Sequence, residues 1–165
     1  MKRILAWGLV VLAAGCAGGK LAGFDGGNLV PGTSTAEEVE KSMGPSKDKR
    51  AGPNGETILW YPRLPYGRVS YAARIGTDGK LIALEQRLTR ENMEKIKPGA
   101  REDDVRDVLG PPQRIDWFPR QAVNAWTYQA QGIQPQIIVV ELSKEGVVRR
   151  AYMMDDPESA ARDRM

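Results

Sequence analysis

A chain of 165 residues with 24 Lys and Arg against 21 Asp and Glu, no histidine and one cysteine excludes several chemistries at once. Without histidine no Ser-His-Asp or Cys-His catalytic arrangement can be assembled, and a single cysteine allows no internal disulfide. The formal charge of +3 falls to +1 once Lys2 and Arg3 are set aside with residues 1–15, and no block of like charge marks a nucleic-acid-binding face.

The N-terminus has the layout of a sorting signal. Lys2 and Arg3 precede an almost wholly apolar stretch at residues 4–14, and the small residues Ala13-Ala14-Gly15 lead directly into Cys16. Eleven residues rise only about 16 Å as a helix, against roughly 30 Å of bilayer hydrocarbon, so a removed signal is expected over a permanent span. A small-small-Cys ending resembles a bacterial lipobox, with Ala13 where leucine is usual. Ala13 and Gly15 also suit ordinary signal cleavage, but a lone cysteine in an exported chain favours lipidation of Cys16. Two or more acyl chains would hold the protein stably on a membrane. Ala17 follows the cysteine where an aspartate would resemble an inner-membrane retention signal, which points to the outer membrane. Residues 16–27 are glycine-rich and read as a flexible tether.

Beyond the tether the chain repeats itself. Pro31-Gly32, Gly44-Pro45, Trp60 and Asp78-Gly79 return as Pro98-Gly99, Gly110-Pro111, Trp126 and Glu145-Gly146, at spacings of 66 or 67 residues. One supersecondary unit has been duplicated, giving a first repeat at residues 28–90 and a second at 91–157, with a tail at 158–165. In the first, Ser34 and Thr35 can cap a helix carrying Glu37, Glu38, Val39 and Met43, which Gly44-Pro45 stops. Residues 47–56 read as a charged, glycine-rich loop. Trp60 opens a first strand, followed by Tyr61, Pro62, Arg63 and Tyr66 at an edge or binding rim. Val69, Tyr71, Ala73 and Ile75 alternate with smaller or polar residues, and Thr77-Asp78-Gly79-Lys80 turns the chain into a strand at residues 81–88.

Thr89 can cap a short helix over residues 90–96, ended by Pro98-Gly99. In the second repeat Glu102, Asp103 and Asp104 suit the positive end of a helix dipole, Val105, Val108 and Leu109 follow at helical spacing, and Gly110 stops the helix. A loop carrying Trp117-Phe118-Pro119-Arg120 precedes strands at residues 124–129, 136–142 and 147–154. Ile137-Ile138-Val139-Val140 is apolar on both faces, as expected of a central strand. The predicted fold is therefore α+β, two tandem units of helix, helix and three antiparallel strands.

The second repeat carries Gly99, Val105, Leu109-Gly110, Pro112 and Trp126-Thr127-Tyr128, a spacing that resembles the SmpA/OmlA (BamE-like) family of outer-membrane lipoproteins. The first repeat departs from it, with one residue inserted before Val39, Met43 for leucine and Pro62 in the tyrosine position after Trp60. By architecture the chain is also similar to the secreted beta-lactamase inhibitor protein, built from two tandem units of this kind. Both resemblances imply a protein that binds other proteins and catalyses nothing. The first implies an envelope partner, with the barrel-assembly complex a candidate.

The residues expected to contact a partner are Trp117, Phe118 and Arg120, with Tyr61, Arg63 and Tyr66 from the first repeat, because Trp, Tyr and Arg dominate binding energy at interfaces. Trp60, Trp126, Gly44 and Gly110 recur and are expected to be structural anchors. Lys47, Lys49 and Arg50 allow a different reading, contact with anionic lipid or cell-wall material. Asp103-Asp104 and Asp155-Asp156 are explained by a helix dipole and a solvated terminal segment, and no calcium-loop or phosphate-loop spacing occurs. No metal, cofactor or catalytic residue is expected beyond the lipid on Cys16. The functional expectation is an accessory interaction module of outer-membrane protein assembly or envelope integrity, with an inhibitor-like or scaffold role as the alternative.

Overall fold

The structure is a computed structural model that describes residues 26–162. The signal, Cys16, nearly all of the tether and the last three residues lie outside that range. The elements in chain order are α1 (Ala36–Met43), β1 (Asp48–Ala51), β2 (Thr57–Pro62), β3 (Ser70–Ile75), β4 (Leu81–Gln86), α2 (Arg90–Lys95), α3 (Glu102–Leu109), β5 (Arg114–Phe118), β6 (Val123–Ala130), β7 (Gln136–Leu142), β8 (Val148–Asp155) and α4 (Pro157–Arg162). They form two antiparallel sheets of four strands each, ordered β1-β2-β3-β4 and β5-β6-β7-β8.

This corrects the predicted architecture. The described residues are mostly β, with two four-stranded sheets and helices no longer than eight residues, and they do not form a pair of helix-helix-three-strand units. The fourth strand of each sheet falls where the sequence reads as a loop. β1 is Asp-Lys-Arg-Ala and shows no apolar alternation; pairing with β2 alone makes it a strand, with Asp48 opposite Trp60 and Ala51 opposite Thr57. β5 pairs with β6 in the same way, from Arg114 opposite Thr127 to Phe118 opposite Val123. Among the described residues only one helix precedes sheet 1, because residues 26–34 form turns tied by Leu29 N–H to Gly26 O and Ser34 N–H to Val30 O. Residues 158–162, assigned to the tail, are helical and, with Pro157, form α4.

Local chemistry explains the helix ends. Thr35 Oγ1 accepts from Glu38 N–H while the Glu38 carboxylate accepts from Thr35 N–H, a reciprocal cap on α1. Thr89 Oγ1 accepts from Asn92 N–H at the start of α2, and Asp104 accepts from Arg101 N–H at 2.7 Å before α3. Gly44 and Gly110 end α1 and α3 at φ of +83° and +81°, a region that side chains disfavour.

Each sheet buries one face under its own helices. In the first repeat Val39 and Met43 of α1 meet Leu59, Tyr61, Tyr71, Ala73, Ile75 and Leu81. In the second, Val105 and Leu109 of α3, with Met93 of α2, meet Trp126, Tyr128, Ile138, Val140, Leu142 and Val148. The duplication is visible in the bonds themselves: Gly32 N–H donates to Leu81 O and Gly99 N–H to Val148 O, each stitching the segment before a helix to the last strand.

Candidate interaction site

The strand residues that face the helices differ by a constant 67, Leu59 with Trp126 and Tyr61 with Tyr128. Trp60 therefore corresponds to Thr127. Side chains alternate across a strand, so a slip of one residue puts Trp60 on the opposite face of its sheet from Trp126. Both tryptophans are buried, but they are not equivalent. Trp60 groups with Ile58 and Ala72 on the outer face of sheet 1, apart from the core beneath α1. The one-residue shift is absorbed in the first turn of each sheet, where residues 53–55 are matched by the longer 119–122.

That outer face is covered by the second repeat. The Trp60 indole lies so close to Gly110 that a Cβ there would stand 2.4 Å from its Cε3. Gly110 thus serves twice, as a helix stop and as a surface flat enough to receive the indole. Arg50 on β1 reaches across to α3, with Nε 2.8 Å from Asp107 and Nη2 3.1 Å from Asp103. The Arg87 guanidinium sits over the Trp60 ring at 5.7 Å. Beneath it, Glu56 accepts both Nε and Nη2 of Arg74 at 2.8 Å, and this paired hydrogen bond holds the Glu56 carboxyl below its usual range.

The matching face of sheet 2 has no such cover among the described residues. Ala125, Ile137 and Val139, each buried, cluster there with Tyr152 on the floor of a groove of about 330 Å³ between Phe118, Glu141, Arg150 and Met154. Its charged rim is internally paired. Arg150 donates to both Glu141 oxygens, at 2.6 and 2.8 Å, and these bonds hold the Glu141 carboxyl low. Tyr152 donates to Glu141 at 3.2 Å beneath the Arg150 guanidinium, which lies 5.0 Å from its ring; burial, then the Glu141 charge, raise the phenol. Arg114 bridges Asp116 at 2.7 Å and Glu158 at 3.1 Å.

β5 borders this groove as an edge strand. Trp117 and Phe118 lie on it, both 45% exposed, with Ile115 also exposed, while Arg120 lies in the exposed turn that follows. Strand alternation sends Phe118 to the groove side with Arg114 and Asp116, and Ile115 and Trp117 to the other. Edge strands are ordinarily protected by charge. β1 follows that rule with Asp48, Lys49 and Arg50; β5 carries Arg114 and Asp116 but also exposes Ile115, Trp117 and Phe118.

The other predicted contact residues are dispersed. Tyr61 is not on a rim: it is 2% exposed in the first core, and burial followed by the Glu40 charge pushes its phenol up to about 12. Arg63 is half-buried, donates to Met43 O at 3.0 Å at the end of α1, and lies 5.7 Å from the Tyr61 ring. Tyr66 is exposed at the tip of the β2–β3 hairpin. Of the basic trio, Lys47 and Lys49 are exposed, whereas Arg50 is engaged by α3. Cys16 lies outside the described residues. Sequence reasoning missed Ala125, Ile137, Val139 and Tyr152; the double-sided apolar run at residues 137–140 carried that signal.

Among the described residues no helix is long and apolar enough to cross a membrane, and no group of three or more acidic, cysteine or histidine side chains is placed to hold a metal ion. No protein-family profile matches the chain, and no curated protein does. A DUF4309 family protein, YjgB from Bacillus subtilis, is similar over 78% of this chain and 83% of its own, at 14% identity and a TM-score of 0.30, too low to carry fold or function across.

Proposed function

We propose that the protein is a lipid-anchored outer-membrane lipoprotein, facing the periplasm, that acts as an accessory protein-interaction module in outer-membrane protein assembly or envelope integrity. The anchor part rests on the signal layout and Cys16, and the envelope setting on the SmpA/OmlA resemblance. The observation that carries the binding role is the contrast between two equivalent surfaces. On the outer face of sheet 1 Trp60 packs on Gly110 at the end of α3 and the edge strand reads Asp-Lys-Arg-Ala, while the outer face of sheet 2 borders the groove beside an edge that exposes Ile115, Trp117 and Phe118. A partner strand added to β5 would satisfy the free backbone groups of that edge and place apolar side chains against Trp117, Phe118 and the groove. Trp117 and Phe118 supply the apolar contact, and Arg120 lies beside them.

The test is crosslinking capture of the lipidated protein from envelopes, with the barrel-assembly complex probed directly. Capture of one envelope partner that is lost in Trp117→Ala with Phe118→Ala supports the reading. Unchanged barrel-protein levels and detergent resistance on deletion, together with capture indifferent to both substitutions, would overturn it.

A further inference from the structure

Among the described residues, the two most exposed large apolar side chains occupy one position in the repeat. Tyr66 is 96% and Ile133 103% exposed, and they stand 67 residues apart, at the tips of the β2–β3 and β6–β7 hairpins. Single exposed apolar residues are common and mean little. Here both copies of the unit present one, in the same place, at the tip of a hairpin.

The two tips share one end of the molecule. Arg68, two residues beyond Tyr66, donates from Nη1 to Gln136 O at 3.3 Å and from Nη2 to Asp156 Oδ2 at 2.5 Å and Ser159 Oγ at 3.1 Å. Asp156 N–H in turn donates to Pro135 O at 2.8 Å, so the loop bearing Ile133 is tied to the residue that Arg68 grips. Neither hairpin loop, residues 63–69 or 131–135, contains a carboxylate. The acids near this end are neutralised or bonded, Asp156 by Arg68, Glu158 by Arg114 and Asp155 by the Gln136 amide.

We infer that Tyr66 and Ile133 dip together into the surface of a phospholipid bilayer and set the orientation of the protein upon it. A protein partner would need to wrap two separate convex tips and satisfy the polar groups around them. A bilayer accepts convex apolar tips without wrapping, with the tyrosine hydroxyl at headgroup level and the isoleucine in the acyl region. The path of the chain agrees. Gly32 bonds Leu81 at the start of β4 and Gly26 packs on Leu84, so the described chain begins alongside β4, which runs toward the hairpin-tip end. Residues 17–25 can span at most about 30 Å, within which an anchor on Cys16 would keep that end at the membrane. The orientation rests on the anchored reading above; the insertion of the tips does not.

The experiment places an environment-sensitive fluorophore on single cysteines, Tyr66→Cys or Ile133→Cys, with Asp78→Cys and Glu145→Cys in the turns at the other end of the sheets as controls. Lipidated protein, its Cys16 acylation checked by mass spectrometry, is bound to phosphatidylcholine vesicles containing a lipid-borne quencher. Probes at 66 and 133 are expected to shift to the blue and be quenched, and those at 78 and 145 to remain aqueous. Tyr66→Ser with Ile133→Ser should release the tips, lowering the bound fraction of protein without acyl chains by on the order of tenfold per side chain. If Cys16 carries no lipid, the anchored reading fails. The insertion is then read on a Cys16→Ser chain held to the same vesicles by an N-terminal histidine tag and nickel-chelating lipid. All four probes remaining aqueous on vesicle-bound protein would overturn the inference in either format.

Discussion

The outer faces of the two sheets are built from matching positions and have opposite fates. In sheet 1, Ile58, Trp60 and Ala72 are buried, with the Trp60 indole against Gly110 of the second repeat. In sheet 2, Ala125, Thr127 and Val139 stand at the corresponding places and border an open groove. Two identical units stacked head to tail must leave one such face unused, because the contact is heterologous and does not close on itself. Divergence then acted on the spare face. The tryptophan that anchors the internal contact is a threonine in the second copy, and Asp48, Lys49 and Arg50 of β1 are matched by Arg114, Ile115 and Asp116 of β5, which continues into Trp117 and Phe118.

The largest break in this comparison is expected from Trp60→Ala. Removing a fully buried indole at a junction between repeats costs about 3–5 kcal/mol and should separate one urea transition into two. Thr127→Ala, at the matching position, should change stability by less than about 1 kcal/mol. Trp60 Nε1 is buried without a hydrogen-bond partner, so Trp60→Phe, which removes that donor and keeps most of the apolar contact, should fall well short of the alanine loss. Equal effects of Trp60→Ala and Thr127→Ala would show that the two faces are not differently used.

Next in size is the pair of helix-stop glycines. Gly44→Ala meets nothing within 4 Å, so its penalty is the strained positive-φ, extended backbone alone, about 2 kcal/mol. Gly110→Ala meets that same penalty and the Trp60 ring, giving roughly 2–4 kcal/mol. The denaturation midpoints of the two variants measure the packing component directly.

These expectations separate what the sequence makes legible from what it hides. Caps at Thr35 and Thr89, glycine stops and the Asp78-Gly79 turn are local chemistry, and they lie where the sequence puts them. The central strands are legible because their apolar residues alternate or run continuously. β1 is hidden because a polar edge strand is defined by its neighbour's backbone and not by its own side chains. The phase of Trp60 is hidden for another reason. Matching tryptophan to tryptophan gives a spacing of 66, yet the helix-facing residues of β2 and β6 differ by 67, as Tyr61 and Tyr128 do. One residue is enough to exchange the faces of a sheet. The aromatic cluster at Trp117 is legible as a candidate contact, but its place on a free edge beside an apolar face depends on which repeat covers which.

The Arg68–Asp156 pair sharpens the comparison through pH. Burial works to raise the Asp156 carboxyl, but Arg68, the Glu158 N–H and Ser159 together outweigh it and hold the group below its usual range. A depressed carboxyl contributes stability that is present above its unfolded value of about 3.9 and is lost as pH falls through the folded value. Unfolding midpoints should therefore fall more steeply below about pH 4 in the native chain than in Arg68→Met. At neutral pH that variant should lose about 1–3 kcal/mol, because Asp156 is left buried with one fewer partner. Parallel pH profiles would show that the pair does not tie the first repeat to the second.

The smallest effect on folding belongs to the residues assigned the largest role in binding. Trp117 and Phe118 are half-exposed and lie outside both helix-covered cores, so replacing either by alanine should change the denaturation midpoint by no more than about 1 kcal/mol. A hot-spot aromatic at a desolvated interface is worth 2 kcal/mol or more, so partner capture should weaken at least about thirtyfold in the same variants. On the edge of sheet 1, Asp48→Ala and Lys49→Ala, at the positions that match Arg114 and Ile115, should leave capture intact. If Trp117→Ala instead unfolds the protein, the aromatic edge of β5 is structural, and the difference between the two outer faces records only how the repeats are joined.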